Sequence, residues 1–537
     1  MLPRGHGSCS APRPMRYAPV ALFVALSASL AWAQPEGGSP PAPGDGSGSA
    51  GSGSGSADAA PAKPVETPAP APAPAPGPVA PPPVASPEPA AEAAPPVHKD
   101  RGFTFGSYGR VIAGTDLRGG KPESVNVVAH GPRVVEPSYL ELEFAYGFET
   151  DRGVKIKPVI TLAFDGTLFH ETGQFDAHPA LRNMYLQAEM SPRWSAWVGS
   201  RMYRGDDIYL FDYWPLDDIN TVGGGVMYRR SLRDGAPDAI EITAHAGENR
   251  LDHPFQFQEI SVANPVQGAT TVVQLNRQRL IGSTSAAYIT SLTPSIGLKA
   301  KVHAEVHQLP EGTRKRDDGT YENLPADGGT LIGAELSAFD RDTGKHGYRS
   351  HLNLFTRYAT GLASFDELAP PTSFGPDLKT SKASELTFGL SGNYDSAFGN
   401  MMVAALSRRF IDATGSTTDN PNNGWEYALD ARPLARLATE WFVGGDISYQ
   451  AKFPDGLNQT TLKAEDPAIF QIAPMLVYSP MGPSSYDRPQ LRAVFNAAHL
   501  NQGALDGYVP DDPRHAHDWV YFLGLQAEWW FNSSTYH

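Results

Sequence analysis

Cysteine is almost absent from this sequence of 537 residues, since Cys9 is the only one. It precedes an apolar run at residues 18–33, and arginines flank the start of that run, which is the pattern of a secretory signal. The small residues Ala31 and Ala33 predict cleavage after Ala33. We therefore predict a signal peptide over residues 1–33. The secreted chain would lack cysteine, which excludes disulfides and thiolate chemistry.

Long apolar runs and an excess of positive charge are lacking too. No stretch after residue 33 approaches the about 20 apolar residues that a membrane-spanning helix needs. The formal net charge is −15, so the composition gives no reason to expect a nucleic-acid partner. A secreted chain without a helical span can still cross a membrane as a closed β-barrel, because such a barrel satisfies its backbone hydrogen bonds internally.

Proline, alanine, glycine and serine make up almost all of residues 34–98. Such a composition offers too few apolar side chains to offset the entropy of ordering the chain. We predict a disordered linker here, and an arm that contacts the cell wall is the alternative. Residues 99–537 then form one folded unit.

Alternation of apolar and polar residues is the main signal in that unit. Residues 519–531 show it best, because Trp519, Tyr521, Leu523, Leu525, Ala527, Trp529 and Phe531 share a face suited to lipid. Similar segments lie at 138–148, 154–165, 385–395 and 441–450. We count about 18 such segments, enough strands to enclose an aqueous channel. The sequence therefore predicts an all-β fold, a transmembrane antiparallel β-barrel with long external loops, two of them at 309–329 and 370–381. A soluble β-sandwich is the alternative.

Three stretches carry a family resemblance: FTFGSYGRVIAG at 103–114, PRVVEPSYLELEF at 132–144, and the region 178–226. The last contains Trp197, Gly199, Arg201 and Tyr203 in a W-x-G-x-R-x-Y pattern. These stretches resemble the maltoporins, the sugar-specific porins of the Gram-negative outer membrane, and the resemblance spans residues 103–531. It implies an 18-stranded barrel in the outer membrane, assembled as a homotrimer, with a third loop folded inward as a constriction.

The resemblance also implies two sets of sugar-binding residues. A lumenal line of aromatic rings, the slide, corresponds to Tyr108, Tyr139, Phe175, Trp214 and Trp530. A flanking polar track corresponds to Arg110, Arg133, Glu141, Arg182, Arg204 and Asp212. The rings would stack on the flat C–H faces of glucose units, and the charged groups would hydrogen-bond to their hydroxyls.

Several positions depart from the family pattern. Trp214 stands where the family has a tyrosine, and Phe175 is offset from the family's slide tryptophan. Alternation places Arg182 on the outward face of its strand. Either a bulge turns its side chain inward, or its assignment to the polar track fails. His351 has inward parity in a later strand, and we interpret it as part of the general lumen wall.

We therefore interpret the chain as a carbohydrate porin that carries maltose and maltodextrin-type sugars by facilitated diffusion, with oligosaccharides and outer-membrane lipid as partners. A general or anion-selective porin is the alternative. A barrel enzyme and a wall-tethering structural protein are rivals from other classes. No nucleophile-elbow motif organises the serines, so no enzyme activity and no cofactor are expected. The aspartate pairs at 206–207 and 217–218 lack the spacing of a calcium loop, so no metal site is expected.

Overall fold

The computed structural model of the chain describes residues 101–165, 168–173, 177–232, 238–251, 253, 255–264, 268–275, 277–341, 350–414, 420–512 and 514–533. The predicted signal peptide and linker, residues 1–33 and 34–98, lie outside the described residues and remain predictions. No helix in the described part is both long and apolar enough to cross a membrane.

Strands dominate the described chain. In chain order they are β1 (Gly102–Thr115), β2 (Tyr139–Glu149), β3 (Lys155–Asp165), β4 (His178–Ser191), β5 (Trp194–Arg204), β6 (Asp218–Ser231), β7 (Ala239–Asn249), β8 (Phe257–Asn264), β9 (Gly268–Leu275), β10 (Arg279–Ser291), β11 (Ile296–Leu309), β12 (Gly312–Lys315), β13 (Tyr321–Leu324), β14 (Asp327–Asp340), β15 (His351–Gly361), β16 (Ser384–Ser396), β17 (Gly399–Ile411), β18 (Gly424–Arg436), β19 (Trp441–Pro454), β20 (Ala468–Tyr478), β21 (Gln490–Leu500) and β22 (Trp519–Phe531). Short helical turns lie at His170–Thr172, Tyr209–Phe211, Leu362–Ser364 and Gln502–Leu505.

Eighteen of these strands form one antiparallel sheet that closes on itself, because β1 pairs with both β2 and β22. The hairpins β8–β9 and β12–β13 lie in connections, so β7 pairs directly with β10 and β11 with β14. The predicted barrel and its strand number are confirmed. The prediction did not anticipate the two hairpins.

Side chains alternate between the two faces of the barrel wall as the period of two requires. On β22 the outward Leu525 is 65% exposed, whereas the inward Phe522 is 0% exposed. Burial alternates in the same way along β2 and β19. The outer surface is therefore an apolar band suited to lipid.

Antiparallel strands place alternate connections at opposite ends of the barrel. The connections at 116–138, 166–177, 205–217, 250–278, 310–326, 362–383, 412–423, 455–467 and 501–518 share one end. Those at 150–154, 192–193, 232–238, 292–295, 341–350, 397–398, 437–440 and 479–489 share the other and are mostly shorter. In barrels of this kind the short turns face the periplasm and the long loops face outward.

Candidate functional site

A loop between β5 and β6, residues 205–217, folds into the barrel and is here called the constriction loop. Its residues Ile208, Leu210, Phe211, Tyr213 and Leu216 are all buried. They pack in one cluster with apolar side chains of β15 and of β17 to β22. The loop thus leaves one wall and is anchored on another, which confirms the predicted inward-folded constriction.

The wall that receives the constriction loop is apolar on its inner face. The inward residues that contribute to this cluster are Met402, Ala404, Leu406, Ala428, Leu434, Phe442, Ala473, Met475, Val477, Val494 and Phe522. Such a surface would be unfavourable against water, and each large apolar side chain of the loop gains about 1.5–3 kcal/mol from burial against it. On β14, Gly333 leaves the space that Leu216 fills, since a Cβ there would lie 2.3 Å from the Leu216 side chain. The loop is therefore held by hydrophobic contacts along its length.

A second loop, residues 116–138 between β1 and β2, also enters the barrel and is here called the first loop. Its backbone is held by the opposite wall, where the amide of Val127 donates to Gln450 at 2.9 Å and that of Ala129 donates to Glu426 at 3.1 Å. The ring of His130 stacks on Tyr213 of the constriction loop at 4.7 Å. The two loops therefore support each other inside the lumen.

Charged side chains join the first loop to the constriction loop. Glu136 accepts from Arg110 at 2.9 Å and from Arg133 at 2.5 Å. Arg133 also lies 3.0 Å from Asp212, and its backbone amide donates to the Leu210 carbonyl at 3.1 Å. Three of the predicted track residues, Arg110, Arg133 and Asp212, thus meet at this junction. Their charges are largely compensated by one another.

The tip of the constriction loop contacts the wall through Tyr209. Its hydroxyl lies 2.9 Å from Arg492 and 3.0 Å from Glu528, and it also contacts Arg488. Arg488 and Arg492 pair with Glu528 at 3.0 and 2.7 Å. The guanidinium of Arg432 lies 5.8 Å from the Tyr209 ring. A cluster of three arginines therefore fixes the tip beside the last strand.

The slide candidates of the first, second and last strands lie on one wall. The Tyr108 and Tyr139 rings are 5.9 Å apart, and Trp530 is the register partner of Tyr108 across β1 and β22. Tyr139 and Trp530 are partly exposed, whereas Tyr108 is only 4% exposed. The structure therefore brings these three rings together and leaves two of them accessible from the lumen. Phe175 lies outside the described residues.

Trp214 lies in the constriction loop as expected, but its side chain is covered. It is 3% exposed, and the Arg204 guanidinium carbon lies 3.5 Å from its ring centroid. Arg204 also donates to Asp218 at 3.0 Å. The pair is arranged as a cation–π contact, an interaction worth up to about 2 kcal/mol when water is excluded. A sugar reaches this ring only if Arg204 moves.

Arg182 points inward because β4 contains a bulge. The register with β3 shifts between Thr161 and Leu162, so that Asn183 faces Thr161 and Leu181 faces Leu162. Arg182 is thereby turned towards Tyr139 and Glu141, and it contacts both. The first of the two alternatives, a bulge that reverses the side-chain parity, is the one observed. Glu141 itself is buried behind Arg182 and accepts from the Tyr139 hydroxyl at 2.6 Å.

Sequence reasoning missed two groups at the lumen. The first group consists of Tyr486 and Arg488 in the connection 479–489. Their position in a turn between two strands gave no reason to expect them inside the barrel. The second is Lys299 on β11, which pairs with Asp206 of the constriction loop and with Glu335 at 2.6 Å. The sequence did contain a signal for Lys299, because alternation along its strand places this residue on the inward face. In the described part of the chain, no group of three or more histidine, cysteine, aspartate or glutamate side chains is placed to hold a metal.

The barrel is closed, has eighteen strands and contains a loop folded into its lumen. A comparison of the sequence with known protein families agrees with this architecture. The model of the LamB porin family matches residues 103–531. This chain belongs to the LamB porin family. It is accordingly a porin of the outer membrane. No curated protein matches this porin.

Solved structures similar to this porin share little sequence with it. OccAB1 of Acinetobacter baumannii has 9% identity and a TM-score of 0.39, with 81% of this chain and 97% of that chain covered. Wzi of Escherichia coli, described as a carbohydrate-binding β-barrel, has 11% identity and a TM-score of 0.36, with 79% and 83% covered. The channel DcaP of Acinetobacter baumannii has 13% identity and a TM-score of 0.32, with 80% and 98% covered.

Proposed function

We propose that this outer-membrane porin conducts maltose and maltodextrin-type oligosaccharides by facilitated diffusion. The observation that carries the proposal is the placement of Tyr139, Tyr108 and Trp530 on one wall, beside the junction of the two inward loops. Aromatic rings exposed to water along a channel are unfavourable in free energy. A ligand with flat apolar faces offsets that cost, because it covers the rings.

Charged groups flank the proposed ring line. Arg182 and Arg110 both lie over the Tyr139 ring, at 5.8 and 5.5 Å from its centroid. Guanidinium groups held in this way can exchange one carboxylate or hydroxyl partner for a sugar hydroxyl with little reorganisation. A series of weak sites of this kind lets a sugar move along the wall while it stays bound.

Assembly and the linker belong to the same proposal. We infer a homotrimer, since the apolar outer wall of one barrel offers a surface on which two others can pack. Residues 34–98 would act as a disordered spacer that leaves the pore unaffected.

The test is conductance in planar bilayers, with glucose, maltose, maltotriose and maltohexaose added as blockers to the purified trimer. A sugar pore is blocked at millimolar concentrations, more tightly as the oligosaccharide lengthens, because a longer chain covers more rings. A wild-type pore that no oligosaccharide blocks would refute the proposal.

A general diffusion porin is the second candidate, and two observations favour it. Tyr108 and Trp214 are buried, and the charges of the predicted track are mostly paired within the protein. Such a pore would conduct small ions and solutes without saturation. The same bilayer experiment separates the two candidates, because only a sugar-binding pore shows saturable block.

A further inference from the structure

The W-x-G-x-R-x-Y motif of β5 lies on the inner wall of the barrel, and the sugar path proposed above does not use it. Val198, within the motif, is 71% exposed on the outer face, so alternation places Trp197, Arg201 and Tyr203 on the lumen side. β5 leads from the short turn at 192–193 to the constriction loop. The motif therefore faces the lumen on the periplasmic side of the base of that loop.

Glycines on β5, β6 and β7 leave room for large side chains at this place. Gly199, Gly223 and Gly247 are successive partners in the strand register, so no side chain rises from that row of the wall. On an adjacent inward row Gly225 is the partner of Trp197, and a Cβ on Gly225 would lie 2.1 Å from the indole ring. The wall therefore has a depression here, and the Trp197 ring fills part of it.

The guanidinium of Arg201 contacts three aromatic rings at this depression. Its central carbon lies 4.6 Å from the Trp197 ring centroid and 5.2 Å from that of Tyr203. The ring of Tyr185, on the neighbouring strand β4, is 4.9 Å away. Trp197 and Tyr203 also stack on each other, with their centroids 5.2 Å apart. Cation–π contacts of this kind hold the guanidinium in place, but they leave its positive charge uncancelled.

Arg201 has no carboxylate partner in the part of the chain that the structure describes. A guanidinium carries several N–H donors, and this side chain is partly exposed to the lumen. Arg408, by contrast, pairs with two carboxylates at 3.2 and 3.1 Å. On this side of the barrel Asp217 pairs with Lys301, and Glu305 pairs with two histidines of its own strand. A single uncompensated positive charge therefore faces the lumen.

We propose that Arg201 binds the carboxylate of a small organic acid, such as an acidic sugar, on its way through the pore. The planar fork of a guanidinium matches the two oxygens of a carboxylate and can donate two parallel hydrogen bonds to them. A phosphate monoester carries about two negative charges at neutral pH, so it would need a second cation. The proposal does not depend on maltodextrin conduction, since it requires only an open lumen.

The test measures KCl conductance of the purified protein in planar bilayers at neutral pH while D-glucuronate or D-glucose is added. Glucuronate should reduce the wild-type conductance in a saturable way. Arg201→Gln removes the charge and should weaken that block about tenfold, the scale of a lost charged hydrogen bond. Arg201→Lys keeps the charge without the planar fork, so its block should also be weaker than that of wild type. Arg229→Gln is the matched control, because Arg229 on β6 is exposed and pairs with Glu241.

The outcomes separate a carboxylate site from a structural or general charge effect. If glucuronate blocks the wild type and Arg201→Gln equally, the site is refuted, whatever maltooligosaccharides do. An equal loss in Arg229→Gln, or an equal loss of glucose block in Arg201→Gln, would also overturn the proposal. Stronger Arg201-dependent block by inorganic phosphate than by glucuronate would refute the carboxylate as the ligand. Should Arg201→Gln fail to assemble, Arg201→Lys decides, since block equal to that of wild type would overturn the proposal.

Discussion

Individual charged residues in the lumen hold the aromatic rings in place as well as lining the path. Arg204 lies against Trp214 and pairs with Asp218, while Arg182 holds Tyr139 through its hydroxyl. Each guanidinium has a ring and a carboxylate as partners. Removing one of these arginines therefore changes both the local charge and the orientation of a ring.

Arg204→Ala should weaken oligosaccharide block by about 1–3 kcal/mol, because a charged hydrogen-bonding group is lost and Trp214 is no longer held. Removing a positive charge should also shift ion selectivity towards cations. Sugar titration and reversal potentials in a salt gradient measure the two effects. Sugar affinity equal to that of the wild type would contradict the role of Arg204 at the constriction.

Trp530→Ala should weaken maltooligosaccharide block by about 1–3 kcal/mol, the scale of a lost ring contact. Ion conductance should stay equal or rise, because a bulky ring leaves the lumen. Trp519→Ala on the same strand is the control, since Trp519 faces outward. Equal losses in both variants would indicate damage to the barrel rather than to a binding site.

Asp207 should make ion selectivity depend on pH. Burial in the constriction loop, together with the nearby charge of Asp212, raises the pKa of its carboxyl to about 7. The group therefore loses its proton as pH rises through neutrality, which adds a negative charge to the constriction. The permeability ratio of cations to anions should increase between about pH 6 and pH 8. Asp207→Asn should abolish this change, and a pH response that persists in the variant would assign it to another group.

The constriction loop lies inside the barrel, and its position depends on apolar contacts. Phe211 is fully buried between the loop and the opposite wall. Phe211→Ala should destabilise this contact by about 3–5 kcal/mol, the usual cost of removing a core phenylalanine. The loop should then leave the wall part of the time, giving higher and noisier single-channel conductance. Phe495→Ala on the outward face of β21 should leave the conductance steady; noise in both variants would count against the anchor.

The strands could be predicted from the sequence because alternation is a local property, and the boundaries of β22 were predicted correctly at residues 519–531. The contacts of the inward loops could not, since they join residues far apart in the chain, such as Val127 and Gln450. One signal was present: apart from Gln471, the inner face of β20 consists of the apolar residues Ile469, Ala473, Met475 and Val477, and such a face is unfavourable unless other apolar side chains cover it. The orientation of Arg182 depended on a bulge, which parity alone does not predict.

For the whole molecule, the N-terminal linker should be dispensable for conduction. Deletion of residues 34–98 should leave single-channel conductance and trimer formation unchanged, since this composition contributes no core. Bilayer recordings and heat-modified gel mobility measure these properties. A deletion variant that fails to assemble would show that the segment does more than act as a spacer.

Closure of the barrel also fixes the order in which the molecule can be completed. β1 begins at residue 102 and β22 begins at residue 519, so most of the chain must be synthesised before these two strands can meet. Until then both strands present unpaired edges, which are sites for association with other chains. An incomplete chain is therefore exposed to edge-to-edge association until β22 is available to pair with β1. Frameshifts or proteolysis within this strand would leave an open sheet that aggregates rather than a smaller working pore.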